Sequence, residues 1–276
     1  MGFSDHHTGA VLYSASSLLG TPHAFTARFG GVSDGIYASL NLGLATGDEN
    51  ARVRENYRIL AKALGLSPEG FVFSKQVHGA CIRAVSEKDL HQPLEPIPYE
   101  ADGLITNVPG LPLVIFTADC IPVLLYDPAV GAVGAVHAGW RGTAQNIVGV
   151  AAREMTARYG SRPEDLRAAI GPGIGRCCFE TGPDVPDAMR SALGALPEEL
   201  VLPAGDRFRV DLKGINRFLL LRAGLSGNRI DVSEECTRCL HEKYWSHRYT
   251  HGARGSQCSL ILVDPGRSSF SARSSV

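Results

Sequence analysis

Residues 113–143 read LVIFTADCIPVLLYDPAVGAVGAVHAGWRGT, and this stretch decides the fold. It holds three short apolar runs, which are Leu113–Phe116, Ile121–Tyr126 and Val130–Val136. None of the runs alternates with polar residues, which is typical of strands that are covered on both faces. The stretch therefore predicts a sheet buried inside a layered domain.

Helical patterns lie on both sides of this stretch. Arg52–Leu64 and Asp211–Ala223 place apolar residues at helical spacing, and Thr143–Tyr159 reads as a third helix with Thr143 as its N-cap. A further buried strand is predicted at Leu260–Val263. Helices that alternate with buried strands predict an α/β domain built in layers.

Composition and charge exclude several classes of protein. The chain has 276 residues and a formal net charge of −1, with no basic block that would mark a nucleic-acid surface. No apolar run approaches the roughly 18 residues of a membrane span, and the N-terminus lacks the pattern of a signal peptide. The seven cysteines are odd in number, which favours reduced thiols and a cytoplasmic location.

No linker divides the sequence, so we expect one domain over residues 11–264. Residues 1–10 are predicted to be an N-terminal tail. Residues 265–276 are rich in Ser and Arg and are predicted to be a disordered tail.

Three segments carry residues that a hydrophobic core would not select: KQVHG at 75–79, TADC at 117–120 and HAGWRGT at 137–143. Together they supply His78, Cys120 and His137. Two histidines and a cysteine are one ligand set of catalytic zinc, with a fourth position open to substrate. The same residues would also form a Cys–His pair with Cys120 as the nucleophile. Residue chemistry alone leaves both interpretations open.

The third segment also has the features of an anion site. Arg141 lies in its turn and offers a guanidinium suited to phosphate or carboxylate. A helix beginning at Thr143 would add its free N–H groups.

Several motifs, in order from about residue 24 to residue 263, resemble those of the YfiH-type family. Its members are described as purine nucleoside phosphorylases and were formerly described as multicopper polyphenol oxidoreductases, or laccase domains. Besides the three segments above, the matching strings are TARFGGVS at 26–33, NLG at 41–43, ADGLIT at 101–106, IGPGI at 170–174 and CCFE at 177–180.

The resemblance implies a single-domain α/β/β/α sandwich with intertwined repeats. It implies a zinc ion held by His78, Cys120 and His137, which would also be the catalytic residues. Arg28, Asn41 and Arg141 match polar positions near that centre and are expected to bind substrate or phosphate.

The activity that the resemblance implies is phosphorolysis of adenosine, inosine and methylthioadenosine, with adenosine deaminase activity. Phosphorolysis needs an anion site beside the ribose, and deamination needs an activated water, which an open zinc position supplies. The expected partners are thus a purine nucleoside and phosphate, with neither nucleic acid nor membrane.

Two alternatives remain. One is a Cys–His amide hydrolase acting on a cell-wall precursor, since some relatives are described as peptidoglycan-editing factors. The other is a copper-dependent polyphenol oxidase, with copper in place of zinc. A laccase-type oxidase needs a His-rich cluster besides a His₂Cys site. The nine histidines of this chain, with His6 and His7 in the predicted tail, supply too few ligands.

The C-terminal part departs from the family. A Ser-x-Arg-Arg motif is expected, and the chain has SHRY at 246–249, so Tyr249 replaces an arginine. A later Thr-Gly-Arg motif is replaced by GSQ at 255–257, which leaves Arg254 as the residue that could substitute for its arginine.

Four cysteines besides Cys120 have a spacing that bears on a role of their own, and they are Cys177, Cys178, Cys236 and Cys239. Cys236 and Cys239 have the spacing of half a zinc site or of a redox pair, but the sequence shows no second pair of that spacing. Cys177 and Cys178 are adjacent and are expected to serve packing. We therefore predict ordinary thiols at all four positions.

Overall fold

The structure is a computed structural model that describes residues 2–67 and 70–266. Its strands form sheets of five, six and three strands. The strands are β1 (Phe3–Thr8), β2 (Val11–Ser16), β3 (His23–Thr26), β4 (Ile82–Ala84), β5 (Gly103–Thr106), β6 (Leu113–Thr117), β7 (Ile121–Asp127), β8 (Ala132–Ala138), β9 (Arg167–Ile170), β10 (Glu180–Thr181), β11 (Val201–Ala204), β12 (Arg207–Val210), β13 (Ile230–Val232) and β14 (Gln257–Ile261). The α-helices are α1 (Asn50–Leu64), α2 (Trp140–Ala144), α3 (Ile147–Tyr159), α4 (Asp184–Leu193), α5 (Leu212–Arg222) and α6 (His247–Thr250).

The first sheet has five strands in the order β1-β2-β3-β14-β6, and every neighbouring pair is antiparallel. Residues 3–8, inside the predicted N-terminal tail, form its edge strand β1 and pair with β2. The side chains from Ser4 to Thr8 are exposed, so this strand carries no apolar pattern. Backbone pairing with β2 holds it in the sheet, and the half-buried Phe3 adds a contact with the ring of Phe25.

The second sheet has six strands in the order β13-β9-β7-β8-β5-β4. Every residue of its central strands β7 and β8 is buried, as the apolar runs predict. β8 begins at Ala132, later than predicted, because Gly131 adopts a positive φ of 67° in the preceding turn. The strand continues through His137, which is buried although it is polar.

Successive residues of the strands face different layers. In β6, Val114 packs into the core with α1, whereas Ile115 faces the space between the two large sheets. In β7, Leu124 faces that same space, and Leu125 belongs to the core shared with α3 and α5. The order of layers is therefore α/β/β/α, and the predicted fold is confirmed. The chain crosses to the second sheet for β4 and β5 and returns to the first in β6. It crosses again for β7 and returns in β14, so its halves intertwine.

One predicted helix is divided in two. Thr143 lies inside the short α2, and its hydroxyl accepts a hydrogen bond from Asn216 of α5. Asn146 adopts a positive φ of 56° and caps α3 through the N–H of Gly149. The break occurs because this left-handed residue cannot continue a helix. The prediction of a helix N-terminus at Thr143 is therefore wrong, and the Thr143 N–H is not free for an anion because it donates to the carbonyl of Gly139.

Other boundaries shift for local reasons. β14 begins at Gln257, earlier than predicted, because its buried polar residues find partners: Gln257 bonds Trp245, and Cys258 bonds Thr26. No helix within residues 2–67 and 70–266 combines the length and the apolarity that a membrane crossing requires. The predicted disordered tail lies outside the described residues except for Pro265 and Gly266.

Candidate metal centre and cavity

Strand pairing brings the three chemical segments to one end of the second sheet. β7 begins directly after Cys120, and its antiparallel register with β8 sets Ile121 opposite Ala138. β5 is antiparallel to β8 with Gly103 opposite Val136, so Asp102 lies beside His137. Residues that are far apart in sequence therefore meet because of sheet register.

The loop of His78 is held by two side chains. The Gln76 amide donates to the carbonyl of Phe116 at 2.8 Å and accepts from its N–H at 2.7 Å, which fixes the loop against the end of β6. The Asp102 carboxylate accepts the N–H groups of Val77, His78 and Gly79 at 3.2, 2.9 and 2.7 Å. His78 has a positive φ of 61°, a strained conformation for a non-glycine residue that these hydrogen bonds maintain.

His78, Cys120 and His137 come together. The nitrogen or sulfur atoms that they offer all lie within 4.8 Å of one another. The two imidazole rings are 4.9 Å apart between centroids, at an angle of 80°. His137 is buried, Cys120 is half-buried and His78 is exposed, so the group is open on one side.

A glycine leaves room for this group. A Cβ atom at Gly139 would lie 3.2 Å from the sulfur of Cys120 and 3.1 Å from the His78 ring. Two imidazoles and a thiolate with an open face suit zinc, and they also suit copper. The residues present thus fit a transition-metal ion.

Asp102 is the functional residue that sequence reasoning missed. Its Oδ1 accepts the Nδ1–H of His137 at 2.8 Å, and it is fully buried. This hydrogen bond leaves the lone pair on Nε2 of His137 free to bind a metal, which is the arrangement that carboxylates give to metal-binding histidines. The only signal in the sequence is that Asp102 lies in the ADGLIT string.

The thiol and the imidazole of the centre polarise each other. Burial opposes ionisation of Cys120, but the neighbouring His137 and His78 lower the pKa of its thiol to about 6. Burial alone would lower the pKa of His137, whereas Cys120 and Asp102 raise it to about 9. Without a metal, the pair therefore favours a thiolate beside an imidazolium.

The centre lies in the wall of a cavity of about 660 Å³, which is within the usual size range of small-ligand sites. Its apolar lining includes Phe116, Trp140 and Phe179. Its polar lining includes Lys75, Asp119, His247, Arg248 and Arg254.

Three polar atoms of the lining are buried and have no hydrogen-bond partner within the described residues. They are Oγ of Ser74, Oγ1 of Thr117 and Nε of Arg254. Buried polar groups in proteins are nearly always hydrogen-bonded, to protein or to water or a ligand. The three residues line the cavity, and these atoms lack the hydrogen bonds that water or a bound group would supply.

The residues expected to bind substrate lie elsewhere. Arg28 donates to the carbonyls of Ala38 and His241, Asn41 is fully buried and holds Gly43 and Ser256, and Arg141 is exposed on Trp140. None of the three is among the residues that line the cavity, although Gly43, Ser256 and Trp140 are. Their contact with substrate stays a prediction.

Asp119 of the TADC segment has a different role from Cys120. Its Oδ1 accepts from the Thr237 hydroxyl at 2.6 Å, and its Oδ2 accepts from the Arg248 backbone N–H at 2.6 Å. It adopts a positive φ of 91°. Asp119 thus connects two distant loops to the turn that carries Cys120.

Known proteins resemble this chain in sequence over most of its length. A purine nucleoside phosphorylase, YlmD, from Geobacillus stearothermophilus is 37% identical over 266 residues, covering 94% of this chain and 96% of its own. An adenosine deaminase, RL5, from an unknown prokaryotic organism is 34% identical over 218 residues, covering 77% of this chain and 82% of its own.

Solved structures agree in fold. The crystal structure of the hypothetical protein YfiH from Bacillus licheniformis superposes with a TM-score of 0.88 at 34% identity, covering 92% of this chain and 97% of that one. A family model described as multi-copper polyphenol oxidoreductase laccase matches residues 22–264. The chain therefore belongs to this family, whose YfiH and YlmD relatives share its fold.

Proposed function

We propose that this protein is a purine nucleoside phosphorylase that also deaminates adenosine, and that it holds zinc on His78, Cys120 and His137. The observation that carries the proposal is the cavity itself. Its lining includes the three candidate zinc ligands and also Arg248 and Arg254. The names of the two relatives described above support the same reaction classes. We further propose that residues 11–264 are the functional domain and that it acts in the cytoplasm.

The cationic side chains of the cavity suit phosphate. Arg254 lines the cavity, and its Nη1 donates to the carbonyl of Gly255 and to the hydroxyl of Ser256. Burial lowers the pKa of Arg254, yet an arginine keeps its charge at neutral pH. Arg248 and Arg254 together would bind the phosphate dianion through charge-assisted hydrogen bonds.

The apolar walls suit the purine. Phe116, Trp140 and Phe179 offer aromatic faces and edges on which a purine ring packs. Ser74 and Thr117 add hydroxyl-bearing residues to the lining. The cavity therefore combines an apolar slot with hydrogen-bonding groups, as a nucleoside requires.

In phosphorolysis, an oxygen of hydrogen phosphate forms a bond to C1′ as the C1′–N9 bond breaks, and the leaving purine takes the proton that hydrogen phosphate gives up. Arg248 and Arg254 would orient the attacking phosphate and stabilise its charge. When bound on His78, Cys120 and His137, zinc would supply a Lewis acid to the cavity.

A second candidate function has its own observation. Cys120, His137 and Asp102 form a nucleophile, base and carboxylate series, and the lowered pKa of Cys120 favours a thiolate. This series would serve a metal-free amide hydrolase. The amide substrate would be the cell-wall precursor considered above.

The copper oxidase has less support. Within residues 2–67 and 70–266, the histidine, cysteine and carboxylate groups close enough to share an ion form two clusters, and only one of them contains histidine. A laccase-type site needs a His-rich multinuclear cluster besides a His₂Cys site.

The test measures phosphate-dependent base release. Zinc-loaded protein is incubated with inosine or adenosine with and without phosphate, and base, ribose 1-phosphate and ammonia are quantified. We expect phosphate-dependent release that falls at least a hundredfold in Cys120→Ala and after chelation, and that returns when zinc is restored. Cys81→Ala is the matched control, because Cys81 is an exposed free cysteine outside the cavity.

The same experiment separates the candidates. No turnover of any purine nucleoside, together with alkylation of Cys120 that an amide substrate prevents, would favour the hydrolase. Turnover that survives full removal of the metal would contradict the role of zinc.

A further inference from the structure

A second cluster of metal-ligating side chains lies outside the cavity. Cys177 and Cys178 follow β9, and Cys236 and Cys239 follow β13. β9 and β13 are parallel neighbours, so the loops that leave them begin at the same edge of the second sheet. A bridge between Gly173 and Cys236 continues this pairing. The fold thus supplies the second cysteine pair that the sequence did not show.

The four sulfur atoms have the spacing of one coordination sphere. All lie within 4.8 Å of one another. The sulfur of Cys239 is 3.6 Å from that of Cys177 and 3.4 Å from that of Cys178. A tetrahedral zinc with Zn–S bonds of about 2.3 Å requires sulfur atoms about 3.8 Å apart. A disulfide requires about 2.05 Å, and none of these cysteines is bridged.

The backbone around Cys236 is arranged for a thiolate. The Gly175 N–H donates to its sulfur at 3.2 Å, and the N–H groups of Arg238 and Cys239 also hydrogen-bond to it. Hydrogen bonds of this kind stabilise metal-bound sulfur. A Cβ atom at Gly175 would lie 3.1 Å from the Cys177 sulfur, so a glycine keeps this approach open.

Nearby cations complement the negative charge of such a site. Four thiolates around Zn²⁺ carry a net charge of −2. The Arg238 guanidinium lies 3.5 Å from the Cys178 sulfur. The buried ammonium of Lys213, held by the carbonyls of Ser233 and Glu235, interacts electrostatically with Cys236 and Cys177.

We propose that Cys177, Cys178, Cys236 and Cys239 bind one Zn²⁺ as a closed, structural four-thiolate site. Tetrahedral sulfur ligation with every position filled is typical of structural rather than catalytic zinc. This inference does not rest on the proposed function.

The site would fix one wall of the cavity. Arg248 lines the cavity, and its Nη1 donates to the carbonyls of Cys178 and Glu180 at 3.2 and 3.0 Å. Thr237, between the two other cysteines, bonds Asp119 beside Cys120. A metal that joins the two loops would therefore hold Arg248 and Asp119 in place.

The first measurement is zinc content and coordination. Protein purified with reductant and without added chelator is analysed for zinc per chain, and X-ray absorption reports the neighbours of the metal. To leave only the proposed site, the same analysis uses the double variant Cys120→Ala/His137→Ala. We expect one zinc per chain with four sulfur neighbours at about 2.3 Å in that variant. The double variant Cys236→Ser/Cys239→Ser should lose one zinc per chain, and Cys81→Ser should lose none.

A second measurement uses the wild-type protein, so it does not depend on how a variant folds. Cys177 and Cys239 are exposed, and metal-free thiols there would react with N-ethylmaleimide. We expect zinc to protect the four cysteines and a chelator to expose them, while Cys81 reacts throughout.

Three results would overturn the proposal. They are a Cys120→Ala/His137→Ala variant without zinc, a disulfide between Cys239 and Cys177 or Cys178 in freshly purified protein, and iron in place of zinc. If the wild type holds one zinc with four sulfur neighbours, this proposal stands and the zinc centre of the proposed function fails.

Discussion

Asp102 illustrates how one residue can organise a site. Its carboxylate accepts three N–H groups from the loop of His78 and the Nδ1–H of His137. Burial alone would raise its pKa, but the hydrogen bond from His137 and those from the backbone lower it. Two of the three candidate ligands therefore depend on a single ionised side chain.

We expect Asp102→Asn to weaken zinc binding at this centre by roughly tenfold to a hundredfold, since partners of metal-binding histidines have effects of that size. The asparagine amide has the same shape as the aspartate carboxylate. Its NH₂ group, however, is a donor and would face an N–H of the His78 loop or the Nδ1–H of His137, which need an acceptor. Competition with a coloured chelator measures the affinity. Glu100→Gln, on an exposed residue paired with Lys75, is the control and should match the wild type. Unchanged affinity in Asp102→Asn would contradict this role.

At the scale of elements, short polar connections decide where strands and helices begin. Asn146 separates α2 from α3, and His23 fixes the start of β3 against the end of β2. The His23 Nδ1–H donates to the Thr21 carbonyl at 2.8 Å, and its Nε2 accepts from the Ser16 N–H at 2.9 Å. Only the neutral ring satisfies both contacts.

His23 predicts a pH dependence of stability. Burial lowers the pKa of His23 below its usual value of 6.5, and the nearby His6 lowers it further. The hydrogen bond to Thr21 acts in the opposite direction but is weaker than the effect of burial. The unfolded chain therefore binds a proton more readily, so the contribution is present above pH 6.5 and is lost as pH falls through the lowered pKa. Between pH 7.5 and 5.5, the free energy of unfolding should fall more in the wild type than in His23→Gln, as urea denaturation would show.

The control for this measurement is His7→Gln, because His7 is exposed on the edge strand β1. It should follow the wild type at both pH values. An equal fall in wild type and His23→Gln would show that His23 titrates alike in both states.

At the scale of the whole molecule, the cavity is assembled from distant parts of the chain. Gly43, His78, Cys120 and Arg254 all line it. They lie in four separate connections, which are those between β3 and α1, α1 and β4, β6 and β7, and α6 and β14. The charge and shape of the cavity are therefore properties of the packed layers rather than of any one motif.

Arg254, one of the residues that line the cavity, gives a direct test of phosphate binding there. We expect Arg254→Gln to raise the KM for phosphate about tenfold or more, because a hydrogen bond to a charged group contributes about 1.5–3 kcal/mol. The KM for nucleoside should change less, and zinc content should not change. Initial rates at varied phosphate measure the effect, with Arg153→Gln on the exposed face of α3 as control. Equal KM values for phosphate would remove Arg254 from the anion site.

Much of the candidate centre could be predicted from the sequence, but its surroundings could not. Each of His78, Cys120 and His137 follows or ends a recognisable apolar segment. The neighbouring residues alone therefore identify each one as a candidate ligand. Asp102 was missed because its partners lie on another strand and in another loop. The sequence does not bring the two cysteine pairs together, because nothing in the spacing between Cys178 and Cys236 shows that β9 and β13 are neighbours.

The amino-acid sequence by itself determined the buried strands, the main helices and the family, because hydrophobic period and ordered motifs are local properties of the chain. Only the tertiary structure decided the register of β5, β7 and β8, the break at Asn146, and which polar groups meet. The physical reason is that strand pairing and the placement of charges in a cavity depend on contacts between segments far apart in sequence. Such contacts are chosen by the packing of the whole fold.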